Sequence, residues 1–390
     1  MRLVSVLLLT AMTITPTAED HWWIADYQQL ELDGSGVRVA VIDTGIDDSH
    51  PDLDGVVIDG ADFSGVGTPD GTSPVGPGGF HGTMVASLIA GQGETTGGVI
   101  GIAPGVELLA ISIGLGVPGA DTDAQVADAI HWAVDNGASV INLSISRNSE
   151  LWPKSWDEAF LYAFGHDVVI VAASGNRTQG EQYATAPATI PGVIGVTAID
   201  SAGEVGTSAG AAGINVALAA PGVQMLGSYP GGEVRVWEGS SAAAPIVTAL
   251  VALMRQADPV ASANDIIARL LESAVDAGQP GVDADYGFGI VNPAQAIESS
   301  ATSPNNPLGS LAKWVELYRP SASEESADLL LPSEPGSETK QDSPGQAFQE
   351  APDGPNPLLY WLLVPLAPLL WLALRGRFGS AKQEKSESNR

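Results

Sequence analysis

Residues Val37-Arg38-Val39-Ala40-Val41-Ile42 form a nearly unbroken apolar run that stops at Asp43-Thr44-Gly45. A run so short, rich in β-branched residues and closed by a turn signal, predicts a buried strand. The chain then alternates strand and helix patterns, the order that builds a parallel sheet. Further strands are expected at Leu108 to Ile113, Ser139 to Ser144, Val168 to Ala173 and Gly192 to Ala198. Helices are expected at His81 to Ala90, Asp123 to Asp135, near Trp156 to Phe164, from Ala242 to Met254, and at about Asn264 to Ser273. In the second of these, Val126, Ala127, Ile130, Ala133 and Val134 recur at helical spacing and mark an inward face. The expected class is α/β, with a mostly parallel central sheet covered by helices on both faces. Sites in such sheets form at the carboxyl ends of strands, beside the starts of the helices.

Asp43 ends the first strand and so stands where a site would be built. His81, in Phe80-His81-Gly82-Thr83, sits where a glycine-rich loop enters an apolar helix. Ser240 and Ser241, in Gly239-Ser240-Ser241-Ala242-Ala243-Ala244-Pro245, stand at another helix start. There, unpaired N–H groups and the positive end of the helix dipole favour a developing oxyanion. A serine at a helix start is ordinarily a cap. What sets this pair apart is the histidine and carboxylate upstream, the base and orienting group a nucleophilic serine requires. Of the other histidines, His21, His50, His131 and His166, only His50 is a rival base. It lies in an acidic turn with no helix after it and is read as structural.

Asp43-Thr44-Gly45, His81-Gly82-Thr83 and Gly239 to Pro245 resemble, in that order, the three signature segments of subtilisin-like serine proteases. Ala172-Ala173-Ser174-Gly175-Asn176 resembles the oxyanion-hole segment of that family. The resemblance implies a subtilisin-like fold and an endopeptidase acting on polypeptides without a cofactor. Asp43, His81 and Ser241 would be its triad, and Asn176 the oxyanion donor. Ser144, with Ala173, Ser174 and Gly175, would border the extended substrate. Where the family commonly continues with a small residue and glycine, this chain has Ile145-Ser146-Arg147. A side chain at Ser146 narrows the pockets on the acyl side, so specificity does not carry over from relatives. Ala219-Ala220-Pro221-Gly222 also resembles a family turn near the active site. Two other functions compete: a catalytically silent fold that only binds peptides, and an esterase using the same triad. An intact set of four residues argues against the first. Against the second, Ala243 stands where the hydrolase elbow Gly-x-Ser-x-Gly needs its last glycine.

The net charge of −30 argues against nucleic acid as a partner. The chain has no cysteine, which closes the thiol route to a nucleophile and excludes thiolate metal sites and disulfides. Asp47, Asp48, Asp52 and Asp54 offer oxygens of the kind calcium takes. No EF-hand spacing accompanies them, so no metal is assigned and a structural calcium stays open.

Residues 1–18 carry one positive charge, an apolar run from Leu3 to about Ile14, and Pro16-Thr17-Ala18, the pattern of a secretory signal peptide. A catalytic domain is expected over 19–299. His21-Trp22-Trp23-Ile24 would lay apolar side chains onto it, with no room ahead of the first strand for a long prodomain. Residues 300–357 are rich in Ser, Pro, Gly and Glu and are expected to be a disordered linker with one amphipathic insert, Leu311 to Tyr318. Leu358 to Leu374 is almost wholly apolar and as a helix would be about 26 Å long, enough to span a thin bilayer. Arg375, Arg377, Lys382 and Lys385 follow in a basic tail, 375–390, expected on the cytoplasmic side. This layout is similar to the mycosin-type, membrane-anchored branch. The expected place is the cell membrane, single-pass, with the catalytic domain outside the cytoplasm.

Overall fold

The computed structural model describes residues 21–94, 97–206 and 210–319. The expected signal peptide, membrane helix, basic tail and most of the linker lie outside the described residues. In chain order the elements are α1 (Ala25–Gln28), β1 (Arg38–Asp43), β2 (Val57–Asp62), α2 (His81–Ala90), β3 (Glu107–Ser112) and α3 (Thr122–Asp135). Then come β4 (Val140–Leu143), α4 (Lys154–Gly165), β5 (Val169–Ala173), β6 (Ile194–Ile199), β7 (Val216–Pro221), β8 (Met225–Tyr229) and β9 (Glu233–Trp237). Helices α5 (Ser240–Ala257), α6 (Ala263–Ser273), α7 (Pro293–Glu298) and α8 (Leu311–Tyr318) complete the order.

Seven strands form one sheet in the order β2-β3-β1-β4-β5-β6-β7, and every pair in it is parallel. β8 and β9 make a separate antiparallel hairpin. Side chains alternate across the pleat, so each central strand feeds two cores. Val39 and Val41 pack on one side with Val85, Leu88 and Ile89 of α2 and Ile246, Val247 and Leu250 of α5. Ala40 and Ile42 pack on the other with Val126, Ile130 and Ala133 of α3 and Trp156 and Phe160 of α4. Both faces are therefore covered, and the sheet's carboxyl edge is the surface left for a site.

Local signals set the helix starts. The Asp121 side chain accepts the Ala124 N–H at the start of α3, and Ser262 with Asp265 closes a capping box on α6. Trp23, Ile24 and Tyr27 are buried in the core, as expected for an N-terminal segment laid on the domain.

Two boundaries differ from expectation. Ala219 to Pro221, expected as a turn, are the last residues of β7, because their N–H and carbonyl groups pair with β6 and with the segment around Ile290. Residues 300–319, expected as linker, pack on the domain. Leu311 is buried, the rings of Trp314 and Trp152 lie 4.3 Å apart, and Arg319 Nε donates to Asp157 Oδ2 at 2.8 Å. The few apolar residues of this stretch cannot fold alone, but they close over a groove that α4 already presents. Among the described residues, no helix is long and apolar enough to cross a membrane.

Candidate active site

β1 ends at Asp43, which is fully buried. The Thr44 N–H donates to Asp43 Oδ1 at 2.7 Å, and the Thr44 hydroxyl accepts the Gly82 N–H at 3.0 Å. The same threonine thus holds the carboxylate and the first turn of α2. Gly82 is needed for the approach, since a Cβ there would meet the Gly45 carbonyl oxygen at 2.3 Å. The close packing sets His81 Nδ1 2.9 Å from each oxygen of Asp43. Burial of the imidazole opposes its charged form, but the charge and hydrogen bond of Asp43 outweigh it and raise the His81 pKa above its ordinary value. The edge of the ring meets Trp237 of β9, at 5.6 Å between centroids and 84° between planes.

Ser240 and Ser241 open α5 and are used differently. Ser240 is fully buried; its hydroxyl lies 3.0 Å from the Gly175 carbonyl oxygen and accepts the Gly175 N–H at 3.1 Å. Its backbone N–H donates to Asn176 Oδ1 at 2.9 Å. Ser241 is partly exposed, and its hydroxyl donates to the Ser144 carbonyl at 3.1 Å. In this conformer the Ser241 hydroxyl is therefore turned to β4's end and not to His81. Gly239, at φ +141°, makes the corner; a Cβ there would press on Asn176 Oδ1 at 3.0 Å.

Asn176 lies just past β5, with its backbone N–H donated to Glu181 Oε2 at 2.8 Å. Because Oδ1 is held by the Ser240 N–H, Nδ2 is the group left to donate to a ligand. The Ser241 N–H, in the first turn of α5, has no carbonyl within its own helix to bond.

Ser144 follows β4. Its hydroxyl donates to the Ser241 carbonyl at 2.9 Å and accepts from Asn142 Nδ2 at 3.0 Å, and Thr248 Oγ1 donates to Asn142 Oδ1 at 2.9 Å. Ala173, Ser174 and Gly175, expected to border substrate, run up to Asn176 with much of their backbone bonded within the fold. Ala173 pairs with β6 and belongs to the core. The Ser174 N–H donates to Val196 and its carbonyl accepts from Thr185, while the Gly175 carbonyl accepts from Ala211. These bonds hold the three residues in place beside Asn176.

His50 is fully buried away from this cleft. Nε2 lies 3.0 Å from the Glu233 carbonyl, and Nδ1 accepts the Asp52 N–H at 3.1 Å, so it ties the β8–β9 hairpin to its own turn. The acidic residues near it face separate partners: Asp47 accepts from Ser49 and Gly231, and Asp52 from Val99 and Ser228. Among the described residues, no three His, Asp or Glu side chains converge as a metal site.

Thr44, Asn142, Thr248, Glu181 and Trp237 were not singled out by sequence reasoning. Asn142 alone carries a signal, an amide inside a strand whose neighbours are all apolar.

A parallel sheet bearing an aspartate, a histidine and a serine at its carboxyl edge, in that chain order, defines a class of serine peptidase. The chain belongs to the subtilase family: residues 34–289 match its family model, Peptidase_S8. Fervidolysin of Fervidobacterium pennivorans is 36% identical over 301 residues, 70% of this chain and 42% of that protein. Subtilisin DY of Bacillus licheniformis is 35% identical over 267 residues, 68% of this chain and 92% of the relative. The crystal structure of fervidolysin, described as a keratinolytic enzyme related to subtilisin, superimposes with a TM-score of 0.62 at 33% identity, over 70% of this chain and 44% of that one. The chain therefore spans less than half the length of fervidolysin and nearly all of subtilisin DY.

Proposed function

We propose that this protein is a serine endopeptidase that hydrolyses peptide bonds through an acyl-enzyme, with Asp43, His81 and Ser241 as its triad. The observation that carries the reading is His81 Nδ1 set 2.9 Å from both oxygens of a fully buried Asp43. That contact fixes the tautomer with Nδ1 protonated and leaves Nε2 as the basic nitrogen. The Ser241 hydroxyl turns from the Ser144 carbonyl towards Nε2, gives up its proton there and attacks the scissile carbonyl. The developing oxyanion accepts hydrogen bonds from Asn176 Nδ2 and the Ser241 N–H. His81 then returns the proton to the leaving amine, and a water activated by the same imidazole releases the acyl group. Water is the second reactant, and Asp43, His81, Asn176 and Ser241 are the groups proposed to act on it and on the peptide.

The reading is tested by labelling with a fluorophosphonate. Ser241→Ala is expected to abolish both labelling and turnover, while Ser240→Ala retains labelling. His81→Ala removes nearly all activity and His50→Ala does not. An adduct on Ser240, or dependence on His50, would sink the assignment.

We propose a place of action on composition alone. The signal-peptide pattern over 1–18, the Ser-, Pro- and Glu-rich composition after the domain, and the apolar segment at Leu358 to Leu374 before a basic tail support a protease anchored outside the cytoplasmic membrane, a layout like that of the mycosin-type branch.

A further inference from the structure

Glu181 is a carboxylate only 5% exposed. Oε1 accepts the Ser146 hydroxyl at 2.6 Å, and Oε2 accepts the Asn176 N–H at 2.8 Å. Both partners are neutral. The two arginines adjacent in sequence to those partners are engaged elsewhere: Arg147 makes a two-pronged pair with Asp123, at 2.8 and 2.7 Å, and Arg177 pairs with Asp285 at 2.9 Å. Among the described residues, Glu181 enters no ion pair. A carboxylate taken out of water costs several kcal/mol, roughly, unless a cation and further hydrogen bonds compensate it. Here the protein supplies the hydrogen bonds and omits the cation.

The location says where a cation would come from. Ser146 is two residues beyond Ser144, whose carbonyl receives the Ser241 hydroxyl, and Asn176 holds the N–H of Ser240. Glu181 thus bridges the two backbone segments on either side of the candidate nucleophile. Gly175 has no side chain to screen it: a Cβ there would fall 2.7 Å from Glu181 Oε2 and 3.3 Å from Thr185 Oγ1. The hydroxyls of Thr185 and of the neighbouring Ser174 are buried without a hydrogen-bond partner. They are unused acceptors beside an uncompensated anion, which is the complement of a side chain carrying several N–H donors and a positive charge.

We infer that the space between residues 144–146 and 174–176 takes the side chain on the acyl side of the scissile bond, and that Glu181 selects lysine or arginine there. The inference rests on the endopeptidase reading above. When the acyl carbonyl sits over Ser241 with its oxygen at Asn176, that residue's side chain leaves between the two segments that Glu181 bridges. Its cation displaces water from the carboxylate, and Thr185 Oγ1 accepts a remaining N–H. A neutral residue of the same length buries the carboxylate without a cation.

The test uses the purified full-length protein and peptides that differ only in this residue, lysine against norleucine and arginine against citrulline. The expected kcat/KM ratio favours the charged member by roughly 100-fold or more. In E181Q that ratio should collapse towards one, whatever happens to the absolute rates through the bond to Asn176. A norleucine peptide cleaved as well as its lysine twin overturns the inference, as does a ratio unchanged in E181Q. Should E181Q fail to fold, inhibition of the unmodified protein by peptide aldehydes ending in lysinal or norleucinal decides it, lysinal binding more tightly. Labelling of Ser241 by a fluorophosphonate is measured on the same sample. Labelling with a preference for norleucine removes this inference alone. No labelling and no cleavage of any peptide removes the endopeptidase reading as well.

Discussion

Pro245 has no N–H to give, so the helical acceptor four residues before it, the Ser241 carbonyl, is left without its usual donor. The Ser144 hydroxyl takes that place at 2.9 Å, backed by Asn142 and Thr248. Pro245, inside α5, and the polar residues buried around β4 therefore belong together: one creates the vacancy and the others fill it. The same economy governs Asn176, whose Oδ1 is spent on Ser240, leaving Nδ2 as the donor in the proposed reaction. Asn176→Ala should lower kcat by roughly two to three orders of magnitude with KM little changed, because the oxyanion exists only after attack. Steady-state kinetics on a single peptide check this; a loss confined to KM would contradict it. The Asp43–His81 pair sets the pH dependence. The imidazole must be neutral to act as base, so activity rises as pH climbs through a pKa held above the ordinary 6.5. Its stabilising contribution has the opposite sense, complete below about 6.5 and lost as pH rises through the raised value. Asp43→Asn removes the charge that raises the pKa, so the acid limb of kcat/KM should move to lower pH. The maximum should fall by roughly four orders of magnitude as the tautomer is lost. A pH–rate profile whose acid limb stays in place would remove Asp43 from this role.

At the scale of elements, α8 shows how a short amphipathic stretch can belong to a domain that its composition disowns. Leu311 is 2% exposed, Trp314 packs on Trp152, and Arg319 pairs with an Asp157 that is itself nearly buried. Leu311→Ala should cost about 2–4 kcal/mol, read as a lower urea midpoint with unchanged slope. No change would return this stretch to the linker. The central strands β1, β3, β4 and β5 are legible in the sequence because short apolar runs pass through them with few breaks. β2 is not, since Asp59, Gly60 and Asp62 interrupt it and only the ladder with β3 holds it in line. Nor is the β8–β9 hairpin, whose second strand exposes Glu233, Arg235 and Val236 and only half-buries Val234 and Trp237. That hairpin matters to the site, because it carries Trp237 against His81 and receives the ring of His50. Asp43, His81, Ser241 and Asn176 are legible because each sits where a strand or glycine turn meets a helix or loop. Glu181 is not, since a lone glutamate in a polar loop looks like any solvated residue until folding closes Gly175 over it.

At the scale of the whole molecule, the described domain holds a complete candidate site between its first and fifth strands, with a strongly acidic chain around it. The net charge of −30 keeps such a protein from polyanions, and it leaves the cationic clusters conspicuous. One of them, Arg375 to Lys385, directly follows the apolar stretch Leu358 to Leu374. Pro365 and Pro368 make that stretch a poor packed helix for a domain core, whereas a membrane tolerates a kinked span whose freed carbonyls find local partners. The proposed arrangement puts the catalytic domain outside and the basic tail inside. The full-length chain should pellet with membranes at high speed. A chain lacking 358–390 should appear in the medium with kcat/KM unchanged, because α8 and everything it touches remain. On intact cells an impermeant biotin reagent should modify a lysine introduced near Ser343, yet reach Lys382 and Lys385 only after lysis. Recovery of the full-length chain in the supernatant after ultracentrifugation would rule out the anchor, and labelling of Lys382 on intact cells would reverse the orientation.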